Sequence, residues 1–167
     1  MQPTLERVHA RELVRSQLFG DPRLRRGSTI GRYHVRGVLG RGGLGVVYRV
    51  YDPLLDREVA VKLLHGDRGD DPQARKALLV EAQHLAQVSS PNIVPVFDVG
   101  EVAGHVFLAM ELVSGENLRR WLRHERRSVP EILRVFLEAA NGLVAMHTVG
   151  LVHRDFKPEN VLIGHDG

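Results

Sequence analysis

The eight residues His153-Arg154-Asp155-Phe156-Lys157-Pro158-Glu159-Asn160 set an acid, a base two positions later and an amide three beyond that. Such a trio suits phosphoryl transfer: a carboxylate orients an attacking hydroxyl and accepts its proton, an ammonium neutralises charge on the group in transit, and an amide carbonyl holds Mg²⁺. A plain polar loop is the alternative, but an octet of this order is improbable by chance. A second candidate is Gly40-Arg41-Gly42-Gly43-Leu44-Gly45, which matches G-x-G-x-x-G and which Val47 extends to G-x-G-x-x-G-x-V. The same spacing opens dinucleotide-binding units, where a helix follows. Here Val46-Val47-Tyr48-Arg49-Val50-Tyr51 is β-branched and aromatic and reads as a strand. A glycine-rich strand-turn-strand lets backbone N–H groups approach phosphate, although a tight hairpin with no ligand would look the same.

The third candidate is Lys62, which ends the apolar strand pattern Val59-Ala60-Val61-Lys62. A lone strand lysine is most often a snorkelling surface residue. Against that, the chain holds only three lysines beside twenty arginines, and a possible partner follows nineteen residues later. Leu78, Glu81, Leu85 and Val88 fall on one helical face, and a carboxylate in an apolar stripe is costly unless a cation meets it. A Lys62–Glu81 pair would hold an ammonium beside phosphates.

The elements that position these residues are legible from periodicity. Short β-type runs separated by glycine turns cover Tyr33–Leu39, Gly45–Tyr51, Glu58–Leu64, Ile93–Val99 and Val106–Glu111, with a helix over Pro72–Val88 between the third and fourth. After Val113 the helical period takes over. A short arginine-rich helix is expected over Asn117–His124. A longer one over Val129–Val149 has Ile132, Leu133, Phe136, Leu137, Ala140, Leu143 and Val144 as a broad buried face, with Pro130 and Gly150 as its punctuation. A strand, Val161–Ile163, follows the octet. The fold class is therefore α+β, a β-rich half before an α-rich half.

Composition excludes several alternatives. The 167 residues carry no cysteine, which removes disulfides, iron–sulfur clusters, Cys-ligated zinc and thiol nucleophiles together. The net charge of +3 is confined to the start: residues 1–32 hold seven arginines and three acids, so the remainder is nearly neutral. With aromatics at 5%, a nucleic-acid module is disfavoured. Arg119, Arg120, Arg123, Arg126 and Arg127 read as a solvated helix face before they read as a docking surface for acidic partners. His165-Asp166 reads as turn chemistry rather than a metal site. Charges interrupt every long apolar run, and Met1-Gln2-Pro3-Thr4 lacks a signal layout, so the default location is cytoplasmic with no membrane segment in this portion. Residues 1–29 form a basic extension, with a loose helical pattern over residues 4–19 and a linker to Thr29.

Taken in order, the glycine loop, Val-Ala-Val-Lys, the helical Glu and His-Arg-Asp-x-Lys-Pro-x-Asn resemble the protein kinase family, specifically the eukaryotic-like Ser/Thr kinases of bacteria, from about Ile30 to Gly167. The resemblance implies a protein-kinase-like bilobal fold, with an N-lobe over 30–110, a hinge over 111–116 and the beginning of a C-lobe over 117–167. It implies that Gly40, Gly42 and Gly45 cover ATP phosphates and that Lys62, paired with Glu81, contacts them. By the same resemblance Leu39, Val47, Ala60 and Leu162 sandwich adenine, with Met110 as gatekeeper and Glu111 and Val113 meeting the adenine edge. Asp155 is the implied base, Lys157 the γ-phosphate contact, Asn160 a Mg²⁺ ligand and Glu116 a residue near the ribose. ATP, Mg²⁺ and proteins with Ser/Thr hydroxyls are the implied cofactors and partners; the oligomeric state is not implied.

The pattern departs from the family at its end. Asp166-Gly167 resembles a turn between strands rather than the expected Asp-Phe-Gly, so the chain reads as a fragment cut within the C-lobe. On that reading the metal clamp is incomplete, Val161–Ile163 lacks the strand that follows its turn, and the isolated chain is inactive. The alternative is a catalytically silent kinase-like module that binds nucleotide or a partner. A small-molecule phosphotransferase fits less well, because such relatives carry His-Gly-Asp where this chain has His153-Arg154-Asp155.

Overall fold

The computed structural model describes residues 24–64 and 72–165. They form two compact units, one of the described residues up to Ala82 with Phe97–Met110, the other of Gln83–Val96 with those from Glu111 onward. The helix expected over 4–19 and the turn at Asp166-Gly167 lie outside the described residues.

The first unit is a six-stranded sheet of β1 (Thr29–Ile30), β2 (Tyr33–Gly42), β3 (Gly45–Asp52), β4 (Arg57–Leu64), β5 (Val96–Val102) and β6 (His105–Met110), in the order β1-β2-β3-β4-β6-β5. Period-two alternation sorts its side chains. Val46, Tyr48 and Val50 of β3, Val59, Val61 and Leu63 of β4, and Phe107 and Ala109 of β6 join Leu24, Ile30, Tyr33 and Val35 in one buried core. The Tyr33 ring meets Phe107 edge-on at 5.8 Å between centroids.

Several boundaries differ from the periodicity reading: β2 runs to Gly42 and β5 to Val102, each three residues past the expected end, and two others border one connection. Helix α1 spans Pro72–Leu85 and stops short of Val88, while β5 starts at Val96 rather than Ile93. Pro91 and Pro95 lie within the gap, and neither can donate to a helix or ladder. The chain turns there instead: Gln87 and Val88 donate to the carbonyls of His84 and Leu85, and the Ile93 N–H donates to Ser90 at 3.1 Å.

One polar cluster ties the β1–β2 turn to the end of β3 and to β5. Asp52, 1% exposed, accepts Arg32 Nε at 3.2 Å and the Leu54 N–H at 3.0 Å. Arg32 also reaches Asp98 at 2.9 Å, which accepts the Tyr33 hydroxyl at 2.8 Å. Burial pushes the Asp52 carboxyl up, but the Arg32 guanidinium and the Leu54 and Leu55 N–H groups outweigh it and hold the group below its ordinary value. A carboxyl depressed in the folded state adds stability above its unfolded pKa and loses it as pH falls through the folded value. Arg32→Ala should therefore cost about 2 kcal/mol at pH 7, by stranding a buried carboxylate, and much less near pH 3. Urea unfolding at both pH values checks this; equal losses would refute it.

The second unit holds β7 (Gly115–Asn117), α2 (Leu118–His124), α3 (Val129–Thr148), a single 3₁₀ turn (Pro158–Asn160) and β8 (Leu162–Gly164). Asn117 caps α2 rather than opening it, its Oδ1 accepting the Arg120 N–H at 3.0 Å. Ser128 and Glu131 form a capping box on α3. At the other end Gly150, at φ +78°, permits a Schellman closure: its N–H donates to His147 and the Leu151 N–H to Met146, both at 3.0 Å. That closure reverses the chain into the octet.

The broad buried face expected of α3 narrows to Val135 and Gly142, which are buried, with Ile132 and Leu143 half-buried. Leu133, Phe136, Leu137 and Val144 are exposed, and so is Ala140. Gly142 is where α3 is approached most closely, since a Cβ there would lie 2.6 Å from the Asn92 carbonyl oxygen. The strand after the octet, β8, runs antiparallel to β7, with Glu116 opposite Ile163 and Asn117 opposite Leu162.

Candidate active site

In the first unit, register gathers the candidate residues on the sheet face opposite the core. Gly40 lies across from Val47, and Gly42 across from Gly45, so the glycine pattern is a β2–β3 hairpin. Val47 lies opposite Lys62, which in turn lies opposite Leu108, and Ala60 lies opposite Met110. Directly opposed residues share a face. Since Val46, Val61 and Ala109 point into the core, Val47, Ala60, Lys62 and Met110 line the other side together. Leu39 falls in the register shift between Val38 and Gly40 and is 51% exposed. Lys62 and, on α1, Glu81 are both half-buried in this unit.

In the second unit the octet folds upon itself. Asp155 Oδ1 accepts Lys157 Nζ at 2.8 Å, and the Asn160 Nδ2 donates to Asp155 Oδ2 at 3.0 Å and to the Asp155 carbonyl at 2.8 Å. The two donors, Lys157 first, hold the Asp155 carboxyl below the ordinary carboxylate range, so it is ionised at neutral pH. The backbone is strained just ahead of it: Arg154 sits at φ +58°, and the Asp155 N–H closes onto the His153 carbonyl at 2.7 Å. His153 meets the Phe156 ring edge-on at 5.9 Å.

The donor set suits a divalent cation brought in with phosphates. Because Asn160 spends its amide nitrogen on Asp155, its hard carbonyl oxygen is the atom turned to other partners. Among the described residues no group of three or more His, Cys, Asp or Glu could hold a metal unaided.

Leu162 stands on β8, 49% exposed. Of the residues expected at the adenine edge, Glu111 donates its N–H to the Pro95 carbonyl at 3.0 Å, and Val113 lies in the connection to β7. Two contacts were not legible in the sequence. Arg119, read as part of a solvated face, forms an ion pair with Glu159 of the octet, forty residues on. The Leu118 N–H donates to the Val161 carbonyl at 2.8 Å, so α2 holds both the octet's far end and the residue that follows it. The second is His124, whose Nδ1 lies 2.9 Å from Glu116 Oε2 and 3.1 Å from Oε1. Arg127 is likewise engaged, with Glu125 and over the Trp121 ring.

Comparison with known proteins follows the same pattern. The family model of the protein kinase domain matches residues 33–167. The serine/threonine-protein kinase PknH of Mycobacterium bovis is 39% identical over 141 residues, 84% of this chain and 24% of that protein. The probable serine/threonine-protein kinase pknA2 of Bifidobacterium longum is 41% identical over 141 residues, 82% of this chain and 19% of that protein. Among solved structures, the kinase domain of Mycobacterium tuberculosis PknI, in a double-mutant form, superposes with a TM-score of 0.76 at 30% identity, covering 86% of this chain and 60% of that one. The chain thus spans about a quarter or less of the curated relatives it matches, and three fifths of the matched kinase domain.

Proposed function

Because this chain belongs to the protein kinase family, we propose that it carries the nucleotide-binding and hydroxyl-orienting residues of an ATP-dependent kinase acting on serine and threonine hydroxyls of proteins. The observation that supports this best is Asp155 held between Lys157 and Asn160. An ionised carboxylate fixed by two donors keeps lone pairs for a third, the substrate hydroxyl. Its depressed basicity suits a reaction with a loose transition state, in which the nucleophile needs orientation more than early deprotonation.

On this reading residues 30–110 are the nucleotide-binding lobe, 111–116 the hinge and 117–167 the start of the catalytic lobe. Gly40, Gly42 and Gly45 bring backbone N–H groups to the phosphates, and Lys62, set by Glu81, balances their charge. Leu39, Val47, Ala60, Met110 and Leu162 present apolar surface to the base, with the Glu111 carbonyl and the Val113 N–H at its edge. Glu116 accepts from the ribose hydroxyls. Lys157 neutralises the phosphoryl group in transit. Asn160 would be a ligand for Mg²⁺, which when bound neutralises charge on the phosphate oxygens. Relatives named serine/threonine kinases, and the Lys157-Pro158 pair, favour Ser/Thr acceptors. A cytoplasmic setting fits; among the described residues no helix is long and apolar enough to cross a membrane.

The test is phosphotransfer by the full-length gene product. Incubated with Mg²⁺, γ-labelled ATP and a Ser/Thr-rich acceptor protein, it should yield labelled phosphoserine or phosphothreonine. The 167 residues by themselves contain no Asp-Phe-Gly and should give little label. Saturable ATP binding by the full-length protein without any transfer would replace this reading with that of a silent nucleotide-binding module.

A further inference from the structure

The backbone of Glu116 has little freedom. Its Cα is locked opposite Ile163 in the β7–β8 ladder. Gly115 before it packs so closely that a Cβ there would fall 1.9 Å from the Ile163 carbonyl oxygen. Asn117 after it is committed to capping α2. Only the side-chain torsions of Glu116 remain, and these decide where its carboxylate stands.

His124 settles them. The imidazole stands in the last turn of α2, eight residues on, and its Nδ1 straddles the carboxylate, 2.9 Å from Oε2 and 3.1 Å from Oε1. The ring's hydrogen bond goes to Oε1, while Oε2 is buried and, among the described residues, has Nδ1 only as a close ion-pair neighbour and no hydrogen-bond partner. The Glu116 side chain is 22% exposed and the His124 side chain 57%, so the carboxylate is the sheltered member and the ring a surface clamp. A carboxylate offers about four acceptor positions, and one ring N–H leaves others for incoming hydroxyls. Without the ring, the sheltered oxygen loses its nearest donor and the side chain swings toward water.

We infer that His124 is a positioning residue for nucleotide recognition: it fixes the Glu116 carboxylate to accept hydrogen bonds from ribose hydroxyls, and so sets discrimination between ribo- and deoxyribonucleotides. The inference rests on the assignment of Glu116 to the ribose made above.

The experiment is titration calorimetry of the full-length protein with Mg-ATP, Mg-2′-deoxy-ATP and Mg-3′-deoxy-ATP. For the unaltered protein, loss of the relevant hydroxyl should weaken binding roughly tenfold, as expected for one charge-assisted hydrogen bond. Glu116→Ala should abolish the difference. His124→Ala should reduce it to about twofold or less, and His124→Asn, whose amide nitrogen stands close to the place of Nδ1, should restore most of it. A merely structural role would not be rescued so selectively. If His124→Ala keeps the full discrimination while Glu116→Ala loses it, the clamp is refuted and the ribose assignment stands. If Glu116→Ala leaves discrimination intact, that assignment falls and takes the clamp with it. Absence of ATP binding by the unaltered protein would overturn the nucleotide-binding reading itself.

Discussion

Asp155→Asn should lower turnover of the full-length protein roughly a thousandfold, within the range of a lost proton acceptor, while nucleotide binding changes little. The substitution keeps the shape but removes a charge and turns one acceptor into a donor. Both groups facing Asp155 are donors: Lys157 Nζ at Oδ1 and Asn160 Nδ2 at Oδ2. An amide cannot satisfy both, so the new NH₂ opposes either an ammonium or another amide, and the side chain rotates off its bearing. Turnover with γ-labelled ATP, alongside calorimetric ATP binding, separates the two effects. A loss of less than tenfold would mean that Asp155 does not meet the acceptor hydroxyl. The same geometry sets the pH behaviour. Because Lys157 and Asn160 hold the Asp155 carboxyl below the usual carboxylate range, its protonation sets no acid limb above about pH 4. Any fall in rate between pH 5 and 7 would belong to another group.

Much of the sheet was legible because strands encode their two faces in a period of two. Val46, Tyr48 and Val50 alternate with Val47, Arg49 and Tyr51, and the first set is the one in the core. That β3 is a strand followed from its β-branched and aromatic residues, and the turn before it from the glycines. What stayed hidden are contacts between residues far apart in sequence. Nothing local pairs Arg119 with Glu159, or tells that arginine from Arg123 beside it, because a charge run reads alike whether one member is engaged or none. His124 and Glu116 lie eight residues apart, beyond the three- and four-residue spacings through which a helix reveals its neighbours. Helix α3 illustrates a different limit. Periodicity shows that Leu133, Phe136, Leu137 and Val144 share an apolar side; whether anything packs on it depends on other segments, and in this chain those side chains are exposed.

The glycines of the β2–β3 hairpin should divide sharply on substitution, although the motif treats them as equals. Gly45 lies at φ +150°, and a Cβ added there would fall 2.2 Å from the Leu63 carbonyl oxygen and 3.1 Å from the Leu64 Cα. That oxygen cannot retreat, since Leu63 is held between Val46 on one side and Phe107 on the other. Gly45→Val should therefore cost about 3 kcal/mol or more, a large share of the roughly 5–15 kcal/mol of an ordinary domain. Around Gly40 and Gly42 a Cβ would meet nothing within 4 Å, and neither has a positive φ. Gly42→Val should leave stability within about 1 kcal/mol yet raise the dissociation constant for ATP, because the side chain would stand where the backbone must approach phosphate. Urea denaturation and ATP titration on the two variants give the contrast. If Gly42→Val destabilises the unit as much as Gly45→Val does, the hairpin's glycines are structural throughout; if it binds ATP as well as the parent, the hairpin does not touch the phosphates.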